Sequence, residues 1–350
     1  MQSQQIVEWG KPLEGREAPT PEPEGTEVLV RVTACGVCHS DLHIWDGYFD
    51  LGGGQRITLE DRGVTLPFTM GHEIVGEVEA VGPDAEGVEI GEKRVVYPWI
   101  GCGDCNVCKA GDELLCMTPR TLGTRRAGGY SDHVVAPHPR YLVDYEGIPT
   151  ELACTYACSG LTAFSALKKV AWAREDEHLV IIGAGGVGLS AVHFAPAVTK
   201  AKVIVADVDG TKRAAARQAG AFETIDNSEP DAVAKLLEMT GGGAAATIDF
   251  VGRPETGLFA VHGLRKGGTH VAVGLYGDAM PLPLALMPLK MLNLLGSYVG
   301  TLDEMHELMG LVKSGVVAPI PVQTRPLPEA TEALEDLRAG RVLGRVVLKP

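Results

Sequence analysis

The chain has 350 residues, of which 45% are hydrophobic, and its 45 acidic residues outnumber its 31 lysines and arginines, for a net charge of −14. Such an acidic balance argues against a nucleic-acid-binding surface. No apolar run approaches the roughly 20 residues that span a bilayer, and the first residues lack the basic and apolar pattern of a secretion signal. We therefore expect a cytoplasmic globular protein of two domains, or of one large interleaved unit.

The first 150 residues are predicted to be mostly β-structure with many turns. Apolar and polar residues alternate over 26–34, 73–82 and 91–99, a pattern typical of half-buried strands. Glycines separate these stretches and mark tight turns. Residues 51–64 resemble an insertion, which we expect to lie beside the entrance to a site.

The pattern changes near residue 155 to an alternation of short apolar strands and helices. We predict helices at 159–171, 186–200 and 210–220, and strands at 178–183, 202–207, 245–252 and 268–275. This rhythm is typical of right-handed βαβ units, so the predicted fold class is α/β with a parallel, doubly wound sheet. The final residues, GRVVLKP, predict one last strand, and the proline-rich stretches 281–288 and 319–328 are the expected linkers.

The sequence IIGAGGVGLSA follows one of these apolar strands and opens a helix. It contains Gly183, Gly185 and Gly188 in the spacing G-x-G-x-x-G, which in that context indicates a dinucleotide-binding loop. Asp207 ends the next predicted strand, where a carboxylate binds ribose hydroxyls and repels a 2′-phosphate. Because no arginine follows Asp207 directly, we predict NAD rather than NADP. The alternative is a structural glycine turn with a solvated aspartate.

Eight cysteines in a chain of this kind are expected to be metal ligands or reactive thiols rather than disulfides. Four of them lie within 15 residues, at Cys102, Cys105, Cys108 and Cys116. Four thiolates at this spacing can close a tetrahedral, structural zinc site, and an iron–sulfur cluster is the alternative. The segment CGVCHSDLH, residues 35–43, is ambiguous by itself, because it also matches a haem attachment site, a redox dithiol or half of a zinc finger.

Six motifs together resemble one enzyme family. They are CGVCHSDLH (35–43), GHE (71–73), the four-cysteine segment, CSGLT (158–162), GAGGVG (183–188) and GRVVL (344–348). Over essentially its whole length the chain is similar to the zinc-dependent alcohol dehydrogenases of the medium-chain dehydrogenase/reductase superfamily, above all to their NAD-dependent microbial tetramers. The resemblance implies a homotetramer in which residues 1–157 and 298–350 form a mostly β, GroES-like catalytic domain and residues 158–297 form a Rossmann domain.

The resemblance also implies a catalytic zinc with one coordination position left open for water or alcohol. The implied ligands are Cys38, His72 and Cys158. Glu73 is expected to lie behind this metal and to ligate it transiently, and Asp41 to hold the other N–H of the ligand histidine. Cys154 is the rival to Cys158, because on a helix the two would share a face. Cys35 and Cys154 are otherwise expected to be small buried hydrophobic residues.

A proton relay and a set of cofactor contacts are implied in the same way. Ser40 is expected to take the proton of the alcohol and to pass it through the cofactor ribose to His43, which releases it to solvent. The implied cofactor contacts are Gly183, Gly185, Gly186, Val187, Gly188, Asp207, Lys212, His39 and Arg345.

The predicted function is the interconversion of an alcohol and its aldehyde or ketone with hydride transfer to NAD. The implied cofactors are NAD and two zinc ions per chain, one catalytic and one structural. Trp99 and Tyr48 are expected to line an apolar pocket for medium-chain or aromatic alcohols. One alternative is a polyol- or threonine-type dehydrogenase, against which Cys158 counts. The other is a non-catalytic zinc-binding or quinone-reducing relative, which would have lost Cys38 and His72.

Overall fold

The computed structural model describes residues 1–350. Its amino-terminal part is rich in short strands joined by turns. These strands are β1 (Gln2–Gln5), β2 (Glu14–Glu17), β3 (Val28–Val37), β4 (Tyr48–Gly52), β5 (Gln55–Thr58), β6 (Glu73–Val81), β7 (Lys93–Val96), β8 (His133–Ala136) and β9 (Leu142–Asp144). The helices between them are short: α1 (His39–Asp46), α2 (Asn106–Lys109) and α3 (Thr150–Ala153). The prediction of a mostly β first part is confirmed.

The middle of the chain alternates strands and helices. The strands are β10 (His178–Ile182), β11 (Lys202–Ala206), β12 (Glu223–Ile225), β13 (Ala244–Asp249), β14 (Leu264–Ala272) and β15 (Asn293–Gly296). The helices are α4 (Ser159–Lys168), α5 (Gly186–Val198), α6 (Gly210–Gln218), α7 (Ala232–Met239), α8 (Pro254–His262) and α9 (Leu286–Lys290). All neighbouring strands are parallel, in the order β12–β11–β10–β13–β14–β15. This is the strand order of a dinucleotide-binding, doubly wound sheet, so the predicted fold class is confirmed.

The last residues return to the first sheet. They form α10 (Leu302–Lys313), β16 (Val322–Pro326), α11 (Ala330–Arg338) and β17 (Arg345–Lys349). Strand β17 pairs with β3 and β16, which completes a seven-stranded sheet in the order β16–β17–β3–β6–β7–β9, with β8 also beside β3. The prediction of a linker at 319–328 is therefore wrong, because Val322–Pro326 is a strand. A proline is tolerated there since β16 lies at the edge of the sheet.

Strand β3 is the centre of this first sheet. It is longer and more buried than the alternation over 26–34 predicted, and Arg31 is its one exposed residue. Strand β6 covers one of its edges, while β8 and β17 share the other. Helix α3 packs against it as well. The chain beyond Val37 therefore starts from a rigid, fully paired strand.

The inserted segment at 51–64 forms most of a two-stranded hairpin, β4 with β5. Gly52, at φ +81°, lies against the loop after β14, where an added Cβ would come within 2.6 Å of the backbone at Asp278 and Ala279. The hairpin thus contacts the part of the chain that carries the parallel sheet. No helix of the structure combines the length and apolar character that crossing a bilayer requires.

Candidate active site

Antiparallel pairing brings two of the predicted metal ligands together. Strand β3 ends at Val37 and β6 begins at Glu73, and Gly36 pairs with Glu73 across the sheet. Cys38 and His72 are the residues just beyond these two strand ends. Both residues therefore lie at the same end of these two paired strands, although a long loop separates them in the sequence.

The side chains of Cys38, His72 and Cys158 converge on one point. Their ligand atoms all lie within 4.8 Å of one another, and the Sγ atoms of Cys38 and Cys158 are 3.9 Å apart. Zinc–sulfur bonds of about 2.3 Å in a tetrahedron separate two sulfurs by roughly 3.8 Å, so this spacing fits zinc. Both ring nitrogens of His72 are buried without a hydrogen bond of good geometry, and Nδ1 is the one that lies near a carboxylate, 3.1 Å from Asp41 Oδ1. Cys154 lies outside the group, and its thiol donates to the Glu151 carbonyl instead.

A buried network orients the His72 ring. Asp41 Oδ1 lies 3.1 Å from His72 Nδ1, and Asp41 Oδ2 accepts hydrogen bonds from the Cys38 N–H and the Tyr130 hydroxyl. With Nδ1 facing a carboxylate, Nε2 is the nitrogen left for a metal. Gly71, at φ +97°, makes room for the network, since an added Cβ would lie 2.2 Å from the Tyr130 ring. Tyr130 is absent from the sequence-based prediction because nothing in its local sequence marks it.

Protein donors occupy both oxygens of the Glu73 carboxylate. Oε1 accepts a hydrogen bond of 3.0 Å from the Ser159 N–H, and Oε2 accepts one from the Arg345 guanidinium. Both charged side chains are buried. Gly36 leaves the space for this carboxylate, because an added Cβ would lie 2.0 Å from Glu73 Oε2. Glu73 is not part of the converging ligand group, and its transient ligation of a metal remains a prediction.

Arg345 connects this site to the glycine-rich loop. It is the first residue of β17. An added Cβ on Gly186 would lie 2.4 Å from Arg345 Cδ, so the side chain passes against the first turn of α5 on its way to Glu73. The guanidinium that was expected to contact cofactor phosphates is therefore fixed beside the loop by a carboxylate.

The converging ligands influence one another's protonation. The hydrogen bond between the two thiols lowers the pKa of Cys38 well below its usual value and raises that of Cys158. Burial opposes the charged form of His72, but the Asp41 carboxylate raises its pKa above the usual value. The site thus favours one thiolate next to positive charge. A divalent cation stabilises both sulfurs as thiolates, the form in which cysteine binds metals.

Helix α1 carries both predicted relay residues. Ser40 and His43 lie three positions apart and share a helix face. The ring centroids of His43 and Phe49 are 5.2 Å apart. Burial lowers the pKa of His43 below 6.5, because the imidazolium is poorly solvated there. The ring is consequently neutral at neutral pH and able to accept a proton.

The four-cysteine segment folds back on itself around a second point. The sulfur atoms of Cys102, Cys105, Cys108 and Cys116 all lie within 4.8 Å of one another. The Cys102–Cys108 and Cys105–Cys116 separations, 3.9 and 3.8 Å, suit a tetrahedral zinc. The backbone N–H groups of Asp104 and Cys105 lower the pKa of the Cys102 thiol to about 6. With four sulfur ligands no coordination position stays open, which is typical of a structural zinc.

The glycines of the loop before α5 differ in what each one makes possible. Gly183 adopts φ +90°, and an added Cβ on Gly188 would lie 1.8 Å from the Gly183 carbonyl oxygen, so α5 packs directly on the end of β10. An added Cβ on Gly185 would meet no protein atom within 4 Å. Val187 follows in the first turn of α5 and is half-buried. This open face beside a helix N-terminus suits the pyrophosphate of a dinucleotide.

Asp207 is anchored at the edge of this loop. Its Oδ2 accepts the Ala184 N–H at 2.7 Å, and its Oδ1 accepts the Asp209 N–H at 2.8 Å. Arg213 lies nearby, but it donates to the Asp207 carbonyl and pairs with Asp226 at 2.9 Å. Its charge is therefore already matched by a carboxylate.

Two further predicted cofactor contacts lie on the first turns of two helices. His39 opens α1 and Lys212 lies in the first turn of α6. Burial lowers the pKa of His39, and the nearby charges of Arg345 and Lys212 act in the same direction. Three cationic or basic residues from separate elements thus share the region around the glycine-rich loop.

Known proteins resemble this chain over its full length. Residues 24–147 match the family model of the alcohol dehydrogenase GroES-like domain, and residues 186–314 match that of the zinc-binding dehydrogenases. The NAD-dependent alcohol dehydrogenases of Sulfurisphaera tokodaii and Saccharolobus solfataricus are 39% and 38% identical to it, with 100% of each chain covered. The crystal structure of the alcohol dehydrogenase from Aeropyrum pernix superposes with a TM-score of 0.91 at 32% identity, again covering 100% of both chains.

The chain belongs to the zinc-binding alcohol dehydrogenases of the medium-chain dehydrogenase/reductase superfamily. The predicted family and the predicted enzyme class, an oxidoreductase acting as an alcohol dehydrogenase, are confirmed. The pairing of a GroES-like domain with a Rossmann sheet is confirmed too. Zinc and NAD are the cofactors of this family.

Aromatic side chains border the ligand group of this dehydrogenase. The Trp99 ring lies 5.3 Å from that of His72, and its indole N–H donates to the Ala157 carbonyl at 2.9 Å. The ring centroids of Tyr298 and Trp99 are 5.6 Å apart. The sequence-based prediction does not include Tyr298, because it comes from a distant part of the chain. Tyr48, the other expected pocket residue, instead packs beneath the Arg56 guanidinium in the inserted hairpin.

Two alanine variants of the glycine-rich loop should have different effects, one on stability and the other on NAD binding. Gly188→Ala places a Cβ on a backbone oxygen that cannot move aside, and we expect the unfolding midpoint to fall by roughly 5 °C or more. Gly185→Ala meets no protein atom and needs no left-handed backbone, so it should keep the midpoint and weaken NAD binding instead. Thermal unfolding and NAD titration of both variants measure this. Unchanged NAD affinity in Gly185→Ala would contradict the assignment of that open face.

Proposed function

We propose that this dehydrogenase oxidises an alcohol to its aldehyde or ketone, and catalyses the reverse reduction, with NAD as the hydride acceptor. The observation that carries the proposal is the convergence of Cys38, His72 and Cys158 at a spacing that suits an open zinc site. The glycine-rich loop lies next to that site, because the Arg345 side chain contacts Gly186 of the loop and bonds Glu73 beside the ligands. The relatives named NAD-dependent alcohol dehydrogenase support the same activity.

The chain's own residues have three tasks in this reaction. When bound, zinc supplies a Lewis acid that lowers the pKa of the alcohol hydroxyl, and NAD supplies the hydride acceptor. Asp41 keeps the His72 ring oriented through Nδ1. The Glu73–Arg345 pair holds the end of β17 and the glycine-rich loop against the ligand group. The buried aromatic wall at Trp99 excludes water from the site.

Ser40 and His43 move the proton in this proposal. The Ser40 hydroxyl takes the proton that leaves the alcohol, and the neutral His43 ring accepts it and passes it to solvent. Both residues lie on one face of α1, directly after the ligand Cys38, which supports this order. His43 is only partly buried, so its ring can exchange a proton with water.

We infer a stoichiometry of two zinc ions per chain, one catalytic and one structural. The two separate groups of converging ligand atoms support this count. We also infer the division into a catalytic domain, 1–157 and 298–350, and a cofactor domain, 158–297. Six of the eight cysteines belong to the two ligand groups, which supports the expected cytoplasmic location, because thiolate ligands persist in reducing compartments.

A homotetramer is the oligomeric state that we propose. Strand β15 lies at the edge of the six-stranded sheet, and Leu294 and Leu295 are exposed on it. Leu284, Leu289 and Met291 are exposed nearby. A concentration of exposed apolar side chains at an unpaired sheet edge is typical of a surface that pairs with another copy.

Removal of single metal ligands tests the two zinc sites. Cys38→Ala, His72→Ala and Cys158→Ala should each abolish turnover and lose one zinc per chain while the chain stays folded. Cys105→Ala should lower the unfolding midpoint first, because structural zinc contributes directly to folding. Metal analysis by mass spectrometry and thermal unfolding measure both effects. Cys154→Ala is the control and should retain both zincs; loss of zinc in that variant, with Cys158→Ala unaffected, would contradict the third ligand.

The activity and its cofactor are tested together with a panel of primary and secondary alcohols. The zinc-loaded enzyme should oxidise members of the panel with NAD and discriminate strongly against NADP, as followed by NADH absorbance. Absence of turnover with every alcohol and both cofactors, in protein that holds two zincs, would refute the proposed function.

Asp207 should set this cofactor preference. Asp207→Ser removes the carboxylate that repels a 2′-phosphate, and we expect the NAD-to-NADP ratio of kcat/KM to fall by about 10-fold or more, equivalent to about 1.4 kcal/mol. Asp209→Ser is the matched control, because it makes the same charge change two residues away while a serine can still cap α6. An equal fall in both variants would show a general charge effect and not a role of Asp207.

The pH dependence of oxidation tests His43. Because burial lowers the pKa of His43, the neutral form that accepts the proton persists below pH 6.5, and the rate should fall only as pH drops through that lowered pKa. His43→Gln should flatten this acidic limb and slow oxidation by about 10²-fold at most. The control is His306→Gln, an exposed histidine on α10. An acidic limb that is identical in His43→Gln would remove His43 from the relay.

A further inference from the structure

Two arginines lie in one cavity without a carboxylate partner. The cavity, of about 180 Å³, is lined by Arg62 and Arg125 together with Trp99 and Tyr298. The carboxylate that also lines the cavity, Glu113, is already engaged by the Gly101 N–H, Arg140 and Tyr141. Its charge is therefore already matched by Arg140.

Arg125 is held in place but not neutralised. Its Nη1 donates to the Arg62 carbonyl at 3.2 Å, and its Nε is buried without any partner. Burial, and then the neighbouring Arg62 charge, lower the pKa of Arg125, which means that its surroundings disfavour the cation. A guanidinium stays charged all the same. An anion in the cavity would relieve this cost.

Arg62 approaches the cavity from the side of the relay. Its guanidinium lies 5.3 Å from the centre of the Phe49 ring, and Phe49 in turn packs against His43. Tyr298, which is half exposed, lines the same cavity as both arginines.

The cavity is lined mainly by residues 113–121, at the end of the four-cysteine segment, and it reaches the catalytic ligand group through Trp99. Trp99 lies between them, with its ring 5.3 Å from His72 and 5.6 Å from Tyr298. Trp99 thus separates the catalytic metal ligands from the cavity that contains Arg62 and Arg125. These arginines are separate from the basic residues at the glycine-rich loop, which are His39, Lys212 and Arg345.

We propose that the substrate of this dehydrogenase carries an anionic group, a carboxylate, which Arg62 and Arg125 bind while its hydroxyl lies at the zinc ligands. The proposal rests on the proposed alcohol oxidation and names its substrate class. Guanidinium groups bind carboxylates through pairs of parallel hydrogen bonds, which gives both affinity and orientation. None of the catalytic zinc ligands lines the cavity, so the cavity takes the carboxylate end of the substrate, and the rest of the molecule extends past Trp99 to the zinc ligands. The substrate class is thus a small hydroxy acid or its aldehyde.

Matched substrates of the zinc-loaded enzyme test this without any mutation. We compare 4-(hydroxymethyl)benzoate with its neutral amide and with benzyl alcohol, and 6-hydroxyhexanoate with hexanol, all with NAD. The carboxylate should exceed its neutral partner by at least about 10-fold in kcat/KM in one of the two series, and added salt should reduce that advantage. Ratios near one in both series, with the neutral alcohols oxidised, would overturn the proposal and leave the alcohol dehydrogenase activity intact. Failure of the two-zinc enzyme to oxidise these compounds and every alcohol of the panel, with either cofactor, would instead refute the proposed function.

Variants locate the effect at the two arginines. Arg125→Gln and Arg62→Gln should each remove most of the preference for the carboxylate, mainly by raising KM, while kcat with hexanol changes little. Arg126→Gln is the control, because it removes the same charge from an exposed neighbour that does not line the cavity. A preference that survives in both Arg125→Gln and Arg62→Gln would overturn the assignment, as would an equal loss in Arg126→Gln.

Discussion

The buried ion pair between Glu73 and Arg345 is the contact on which the arrangement of the active site depends. Taking either charge out of water alone costs several kcal/mol, so each holds the other in place. Glu73 follows the ligand His72, and Arg345 opens the strand that closes the first sheet from the far end of the chain. On its way to Glu73 the arginine passes against Gly186 of the cofactor loop. One interaction thereby fixes the metal side and the cofactor side relative to each other.

Glycines provide the space for these interactions. Gly36 lies under the Glu73 carboxylate, Gly71 under the Tyr130 ring and Gly186 under Arg345, and a Cβ at any of them would overlap its neighbour. Each of these glycines is needed because a side chain of the site packs against it, and none of them acts as a flexible hinge. The high glycine content of the chain, 44 residues, is thus partly explained by close approach around the site.

Basic residues lie in two separate regions around the active site. Basic residues around the glycine-rich loop suit the phosphates of a dinucleotide. Arg62 and Arg125 form a second positive region beyond the wall of Trp99 and Tyr298. Of these two aromatic residues Trp99 is buried, whereas Tyr298 is half exposed.

The sequence by itself determined the features whose partners are close along the chain. The βαβ alternation, the glycine-rich loop and the four-cysteine segment follow from local periodicity and spacing, because each of these elements is nearly complete within a short stretch. Cys38, His72 and Cys158 could be grouped only through family resemblance, since strand register and the start of α4 bring them together. Tertiary structure alone decided the rest: the strand at Val322–Pro326 in place of a linker, the hydrogen bond from Tyr130, and the meeting of two unpaired arginines in one cavity. Each of these depends on a partner far away in the sequence, and no local pattern encodes such a partner.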